Sequence, residues 1–229
     1  MRVHVAFTPD ETASAPVGVV VDVIRATSTI TQALAAGYER VLCCAEIDEA
    51  RALRAAEADS IVGGERSAVR IEGFDVGASP REFLEPRAST LILSTTNGTR
   101  AILGAAAQCE HVIVAGLLNL GAVAESLRTR GEDVAVVCAG FKGTFALDDA
   151  YCAGRIVQLL DGALRTDAAI AAELVARAYP DALTAVNART YGPPGLEEDI
   201  AFCAREDVLD VVPHVSGMRG TAAEIVAGE

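Results

Sequence analysis

Val17-Gly18-Val19-Val20-Val21-Asp22-Val23-Ile24-Arg25-Ala26-Thr27-Ser28 begins with β-branched residues, turns polar at Asp22 and runs on into the alanine- and leucine-bearing stretch Thr29 to Ala36. An apolar run this short, followed by apolar residues at three- and four-residue spacing, reads as a buried strand that feeds a helix. The pattern recurs along the chain. Strand-like runs lie at Arg2 to Phe7, Val17 to Ile24, Arg40 to Ala45, Ser60 to Gly63, Thr90 to Ser94, His111 to Gly116 and Asp133 to Ala139. Helical stretches between them are Thr29 to Ala36, Asp48 to Ala58, Thr99 to Ala107, Leu120 to Arg130 and Asp148 to Leu160. Strands and helices in alternation predict an α/β fold, a largely parallel sheet with helices on both faces.

Three further features complete the expected organisation. Ala68 to Gly73 is short enough for an antiparallel strand or hairpin arm. After Leu160 the chain becomes acidic and alanine-rich: a helix over Thr166 to Ala178, a turn at Tyr191 to Gly195 and a last helix over Glu197 to Ala204. Residues 161–207 therefore read as a C-terminal helical extension of one α/β domain spanning 1–229, with Val208 to Val215 as a closing strand.

Composition narrows the classes of function. With 229 residues, 51% hydrophobic and 22% charged, the chain can bury one sizeable core, which excludes a disordered protein. Its apolar runs fall short of the roughly 20 residues that cross a bilayer, so no membrane span is expected. The opening MRVHVAF alternates like a strand and lacks the features of a secretory signal, which predicts a cytoplasmic protein. Six cysteines without a CxxC pair read as buried free thiols in a reducing compartment. A net charge of −13 without a basic stripe argues against a nucleic-acid partner, although a small anion can still bind locally. A homo-oligomer is left open.

In an open α/β sheet ligands bind beyond the carboxyl ends of the strands, and those positions are polar here. Asp22, Arg25, Thr27 and Ser28 follow one strand, with a helix N-cap as the plain alternative for either hydroxyl. Gly63-Gly64-Glu65-Arg66 follows another: two glycines that would admit a ligand, then a pair that could equally be a structural ion pair. Thr95-Thr96-Asn97-Gly98-Thr99 leads straight into a helix, offering N–H groups, hydroxyls and a glycine suited to a left-handed turn, which together suit a phosphate or sulfonate. Asn119 and Ala139-Gly140-Phe141-Lys142-Gly143-Thr144 complete the rim. Asp148 and Asp149 open the next helix, either capping it or supplying oxygens to Mg²⁺, which usually takes one or two carboxylates together with phosphate and water.

These segments, together with Gly73-Phe74-Asp75-Val76-Gly77-Ala78-Ser79-Pro80, Cys138-Ala139-Gly140 and Asp148-Asp149-Ala150-Tyr151-Cys152-Ala153-Gly154, resemble in order and spacing the motifs of the 2-phosphosulfolactate phosphatase family. The resemblance covers roughly residues 15–160, and Asp199 to Pro213 also resembles the family's C-terminal end. Ala78 stands where the family pattern has Asn, and Asp148 where it has Glu. The resemblance implies Mg²⁺-dependent hydrolysis of 2-phosphosulfolactate to sulfolactate and phosphate, a step toward coenzyme M.

Because a phosphoryl transition state spreads negative charge over its oxygens, the site needs cations and fixed donors. Asp22, Arg25 and Asp149 are the expected catalytic residues, and Asp22, Asp148 and Asp149 the expected Mg²⁺ ligands. Thr27, Ser28, Glu65, Arg66, Thr96, Asn97, Gly98 and Thr99 are expected to bind a small phosphorylated sulfo- or hydroxy-acid. Attack by an aspartate and attack by metal-activated water both remain open. So do a phosphatase for another phosphorylated hydroxy acid and a non-catalytic anion- or nucleotide-binding module.

Overall fold

A computed structural model describes residues 1–11, 13–192 and 194–228. Pro193, inside the expected turn Tyr191 to Gly195, lies outside the described residues. The strands are β1 (Arg2–Ala6), β2 (Val17–Val21), β3 (Arg40–Cys43), β4 (Ser60–Arg66), β5 (Val69–Arg70), β6 (Thr90–Ser94), β7 (His111–Ala115), β8 (Val134–Cys138), β9 (Leu164–Arg165), β10 (Pro213–Arg219) and β11 (Ala222–Ala227). The helices are α1 (Ala26–Ala36), α2 (Ile47–Ala56), α3 (Gly98–Ala106), α4 (Leu120–Arg130), α5 (Leu147–Leu159), α6 (Asp167–Arg177), α7 (Ala182–Asn187) and α8 (Glu197–Cys203). The strands form one sheet in the order β5-β4-β6-β3-β11-β10-β7-β2-β8-β1-β9.

Two parallel blocks, β4-β6-β3 and β7-β2-β8-β1-β9, are joined by an antiparallel hairpin, β10-β11. The α/β fold and the mostly parallel sheet match the expectation, and β5 pairs antiparallel with β4 as the expected arm. Alternation along the strands sends side chains to opposite faces. Val17, Val19 and Val21 of β2 pack with α4, α5 and α6, whereas Val20 packs with Ile30 of α1 and Ile102 of α3. In β3, Leu42 joins Ala50 of α2 while Val41 and Cys43 face α1 and α3. Among the described residues no helix is long and apolar enough to cross a membrane.

The carboxyl-terminal strands differ from the expectation. A closing strand was expected over Val208 to Val215, but the N–H groups of Val208 and Leu209 donate to the Leu118 carbonyl at 2.8 and 2.9 Å, which holds the start of this stretch as a connection. The strand starts at Pro213, and β11 follows it into the middle of the sheet against β3. Ala222–Ala227 contains three alanines, a residue depleted in strands, so its place is set by pairing rather than propensity. The segment 161–207 carries α6 and α8 where helices were expected, together with two elements that were not, the short α7 and β9, which pairs with β1 at the sheet edge.

Helix α6 packs closely on α5 because Gly154 has no side chain: a Cβ there would stand 2.0 Å from the Ala172 carbonyl oxygen. Alanine would gain about 1 kcal/mol of helix propensity over glycine. Forcing the helices apart costs about 1–3 kcal/mol. Gly154→Ala is therefore expected to destabilise the protein in urea unfolding, and a variant at least as stable as the parent would show that the interface relaxes freely.

Candidate active site

The turn from β2 into α1 is closed by its own hydroxyls. Thr27 Oγ1 accepts from the Asp22 N–H at 3.0 Å and donates to the Asp22 carbonyl at 2.8 Å, and Ser28 Oγ donates to the Val23 carbonyl at 2.8 Å. Thr27 and Ser28, expected to touch substrate, are wholly buried and hold the turn instead. What they position is the Asp22 carboxylate, whose Oδ1 accepts from the Ala26 N–H, the first of α1, at 3.2 Å.

On the other side of that carboxylate stands Gly98, the first residue of α3. A Cβ on Gly98 would lie 2.5 Å from Asp22 Oδ2 and 2.3 Å from the Ala26 Cβ. The left-handed backbone expected of Gly98 is not adopted; glycine is required by close approach. Gly63 and Gly64 likewise admit Val76 and the Ser94 carbonyl, not a ligand. The Gly98 contact demands a curved sheet. Strands β6 and β2 are five places apart, roughly 24 Å in a flat sheet, farther than Thr95-Thr96-Asn97 can bridge. Curvature around α1 and α3 brings both helix N-termini, with their partial positive charge, onto one carboxylate.

The remaining acids gather around it. Asp149 accepts from the Val23 N–H at 2.9 Å and the Gly140 N–H at 3.0 Å, tying the ends of β2 and β8 together. Asp148 accepts from the Tyr191 hydroxyl and from the Asp149 N–H. Glu65 accepts from the Thr96 N–H at 2.7 Å and the Ala68 N–H at 2.6 Å. Burial pushes Asp22 up from the ordinary 3.8 to about 7; the charges of Asp148 and Glu65 add to it, while the Ala26 N–H and Arg25 oppose it. Burial, then Asp148 and Asp22, push Asp149 well above the usual range. Asp148 is raised by burial too, with the Tyr191 hydroxyl and Arg189 pulling the other way.

Among the described residues no three His, Cys, Asp or Glu side chains are grouped to hold a metal, so the expected Asp22, Asp148 and Asp149 triad is not assembled as a ligand set. Both Asp149 oxygens are taken by backbone N–H groups. Asp22 Oδ2 and Asp148 Oδ2 have no hydrogen-bond donor among the described residues. Two buried carboxylates with free oxygens and raised proton affinity suit a hard divalent cation that completes its shell with phosphate and water.

A cavity of about 350 Å³ opens above this cluster, and Asp22, Arg25, Glu65, Thr96 and Asn97 line it. Arg25 Nη1 pairs with Asp199 Oδ2 at 2.7 Å, its Nη2 reaches the Ala68 carbonyl at 3.3 Å, and Ser79 Oγ holds the other Asp199 oxygen at 2.5 Å. Arg66 points away: its guanidinium donates to the carbonyls of Glu65, Ala45 and Ser94 and to Ser94 Oγ. Thr99 is buried, its hydroxyl given to the Thr95 carbonyl at 2.9 Å. Asn119 is buried too, donating to the Val114 and Val211 carbonyls. All six cysteines are free and five are buried. Burial first, then the charge of Asp149, pushes Cys138 and Cys152 well above the usual thiol range, which keeps both neutral.

The cavity also contains residues to which the motifs assigned no role. Phe141 and Lys142 come from the connection after β8, and Arg189, Tyr191 and Leu196 from the segment before α8. Phe141 and Tyr191 stack with centroids 4.8 Å apart. One signal for Lys142 was present in the sequence: it is the chain's one lysine. Arg189, Tyr191 and Asp199 follow no long strand, and only folding brings them to this rim.

Two outcomes test the site's electrostatics and architecture. In the unfolded chain Asp22 loses its proton near 3.8, whereas in the fold it keeps it to about 7. The contribution of Asp22 to the stability of the metal-free protein is therefore greatest below that window and falls through it as pH rises, by on the order of a few kcal/mol. Asp22→Asn should flatten the decline in urea titrations at several pH values; an unchanged profile would assign the pH dependence elsewhere. Arg66→Ala should cost about 1.5–3 kcal/mol by orphaning buried carbonyls, while the folded fraction keeps the parent's KM. A raised KM in a fully stable variant would return Arg66 to the substrate.

Comparison with known proteins agrees with these motifs. A family model described as 2-phosphosulpholactate phosphatase matches residues 4–217. A protein of Clostridium acetobutylicum named probable 2-phosphosulfolactate phosphatase is 38% identical over 207 residues, 86% of this chain and 88% of its own length. A Thermus thermophilus protein of the same name is 38% identical over 233 residues, covering 97% of this chain and 98% of its own. One from Pseudothermotoga lettingae is 38% identical over 216 residues, covering 92% and 94%. With a match from one end of the sheet to the other and relatives that align along nearly their whole length, the chain belongs to the 2-phosphosulfolactate phosphatase family.

Proposed function

We propose that this chain is a Mg²⁺-dependent phosphatase that hydrolyses 2-phosphosulfolactate to sulfolactate and phosphate. The observation that carries the reading is the meeting of Arg25, two helix N-termini and the carboxylates of Asp22 and Glu65 at one cavity, with Asp148 and Asp149 buried near Asp22. The names of the relatives supply the substrate. Water adds to phosphorus as the ester P–O bond breaks; the hydroxy acid leaves with one proton of the water, and phosphate keeps the other.

Each residue has a part that follows from its surroundings. Arg25 is fixed by Asp199 on one side, and its remaining N–H groups are directed to phosphoryl oxygens as charge-assisted donors. The N-termini of α1 and α3 add fixed positive potential where charge builds in the transition state. Asp22 and Asp148 would hold Mg²⁺, with Glu65 close by on the cavity wall, and Asp149 positions the ends of β2 and β8 behind them. Bound there, the ion supplies charge that neutralises the carboxylates and the phosphate together. Asn97 and Thr96 shape the wall above α3.

Purified protein should release phosphate from 2-phosphosulfolactate with added Mg²⁺ and stop with EDTA. Asp22→Asn should lower kcat at least about 10²-fold, the scale of losing one charge-stabilising element. A panel of phosphorylated hydroxy acids separates this substrate from its analogues. Undiminished turnover in EDTA sinks the metal assignment, and faster turnover of another acid sinks the substrate.

A further inference from the structure

Three cationic side chains line the cavity: Arg25, Lys142 and Arg189. Arg25 shares its guanidinium with Asp199 at 2.7 Å, and its remaining N–H groups are those already given to the phosphoryl oxygens. Among the described residues neither Lys142 nor Arg189 has a carboxylate within 4.0 Å. In a chain with 32 acidic and 19 basic side chains, two cavity cations without a direct carboxylate partner are not what a surplus of acid would leave by default, even though Arg189 lies near enough to Asp148 to lower its proton affinity.

Arg189 is held through its side chain, whereas Lys142 is exposed and is placed by its backbone. Arg189 gives Nε to the Tyr191 carbonyl at 3.2 Å and Nη1 to the Val186 carbonyl at 3.4 Å, bonds that orient the guanidinium without cancelling its charge. The Lys142 ammonium stands 5.4 Å from the centroid of the Phe141 ring, and its backbone N–H donates to Asn97 Oδ1 at 3.4 Å. Phe141 stacks on Tyr191, so one aromatic contact joins the two segments that carry the two cations. Lys142 has φ of 53°, a left-handed conformation uncommon outside glycine, yet a lysine occupies it. It is also the single lysine in a chain that uses arginine at its 18 other basic positions, 19 less one. A lysine is a compact, strongly hydrated charge with three rotatable donors, which suits a tetrahedral sulfonate or a carboxylate approached from one side.

We propose that Lys142 and Arg189 form a second anion subsite, which receives the acid end of the substrate while Arg25 and the helix N-termini receive the phosphoryl end. The inference rests on the proposed phosphatase reading for its choice of ligand. It makes the site selective for phosphate monoesters that carry a further acid group, because a simple ester leaves both cations without a partner.

The test is calorimetric binding of sulfolactate, which has the acid groups and no phosphoryl group, to the parent, Lys142→Ala, Arg189→Gln and the double variant. Each single variant should weaken binding about 10- to 100-fold, the scale of one hydrogen bond to a charged group. Lys142→Arg should recover part of the loss, and thermal unfolding should confirm that each variant is folded. With turnover in hand, the ratio of kcat/KM for 2-phosphosulfolactate to that for phenyl phosphate should fall at least about 10-fold in each single variant. Failure of the parent to bind sulfolactate, or equal binding by parent and variants, overturns the subsite. An equal fall on both esters overturns it too, because the cations would then be holding the phosphoryl group. Sulfolactate binding that depends on these residues, without hydrolysis of any ester, would keep the subsite and sink the phosphatase reading.

Discussion

The contact on which this structure turns is the approach of Gly98 to the Asp22 carboxylate, too close to leave room for a Cβ. It requires the end of β6 to reach the end of β2 across five steps of the sheet, so it fixes the sheet's curvature. It also requires α1 and α3 to lie side by side in one core cluster. The convergence of two helix N-termini follows. A carboxylate would be costly to bury elsewhere in the core, but here it meets the Ala26 N–H and the positive ends of two helices.

Those donors offset only part of the cost. Asp22, Asp148 and Asp149 lie within a few per cent of full burial and all have raised proton affinity. Their division of labour is set by which oxygens the backbone has claimed. Asp149 spends both on Val23 and Gly140 and so acts as a brace, whereas Asp22 and Asp148 each keep one oxygen without a donor among the described residues. Burial and mutual repulsion raise the proton affinity of these carboxylates, which links pH and stability through the same side chains.

The later part of the chain completes what the parallel strands begin. The hairpin of β10 and β11 joins two parallel blocks that would otherwise have no common edge. Asp199 on α8 neutralises and orients Arg25 and is itself held by Ser79, which gives the Gly77-Ala78-Ser79-Pro80 stretch a structural task beside the cavity. Tyr191 reaches Asp148 and stacks on Phe141, so one aromatic ring links an acidic side chain of the site to the wall that carries Lys142 and Arg189.

Val17 to Val21, Thr90 to Ser94 and Val134 to Cys138 were legible as strands, and the polar residues after them as a rim, because side-chain period and strand-end chemistry are local properties. The motifs carried the family as well, and Asp22, Arg25, Glu65, Thr96 and Asn97 do meet at one cavity. What local pattern does not encode is where a polar group points once its neighbours are packed. Thr27, Ser28, Arg66 and Thr99 have the chemistry of ligand donors, yet nearby carbonyls satisfy them, since a buried backbone acceptor takes whichever donor is within reach. Gly98 is a glycine for a reason only its tertiary neighbours supply. The sequence by itself determined the α/β architecture and the sheet edge at which the acids collect. Tertiary structure alone decided the sheet's curvature, the place of the terminal hairpin and the arrival of Arg189, Tyr191 and Asp199, because each depends on contacts between segments far apart in the chain.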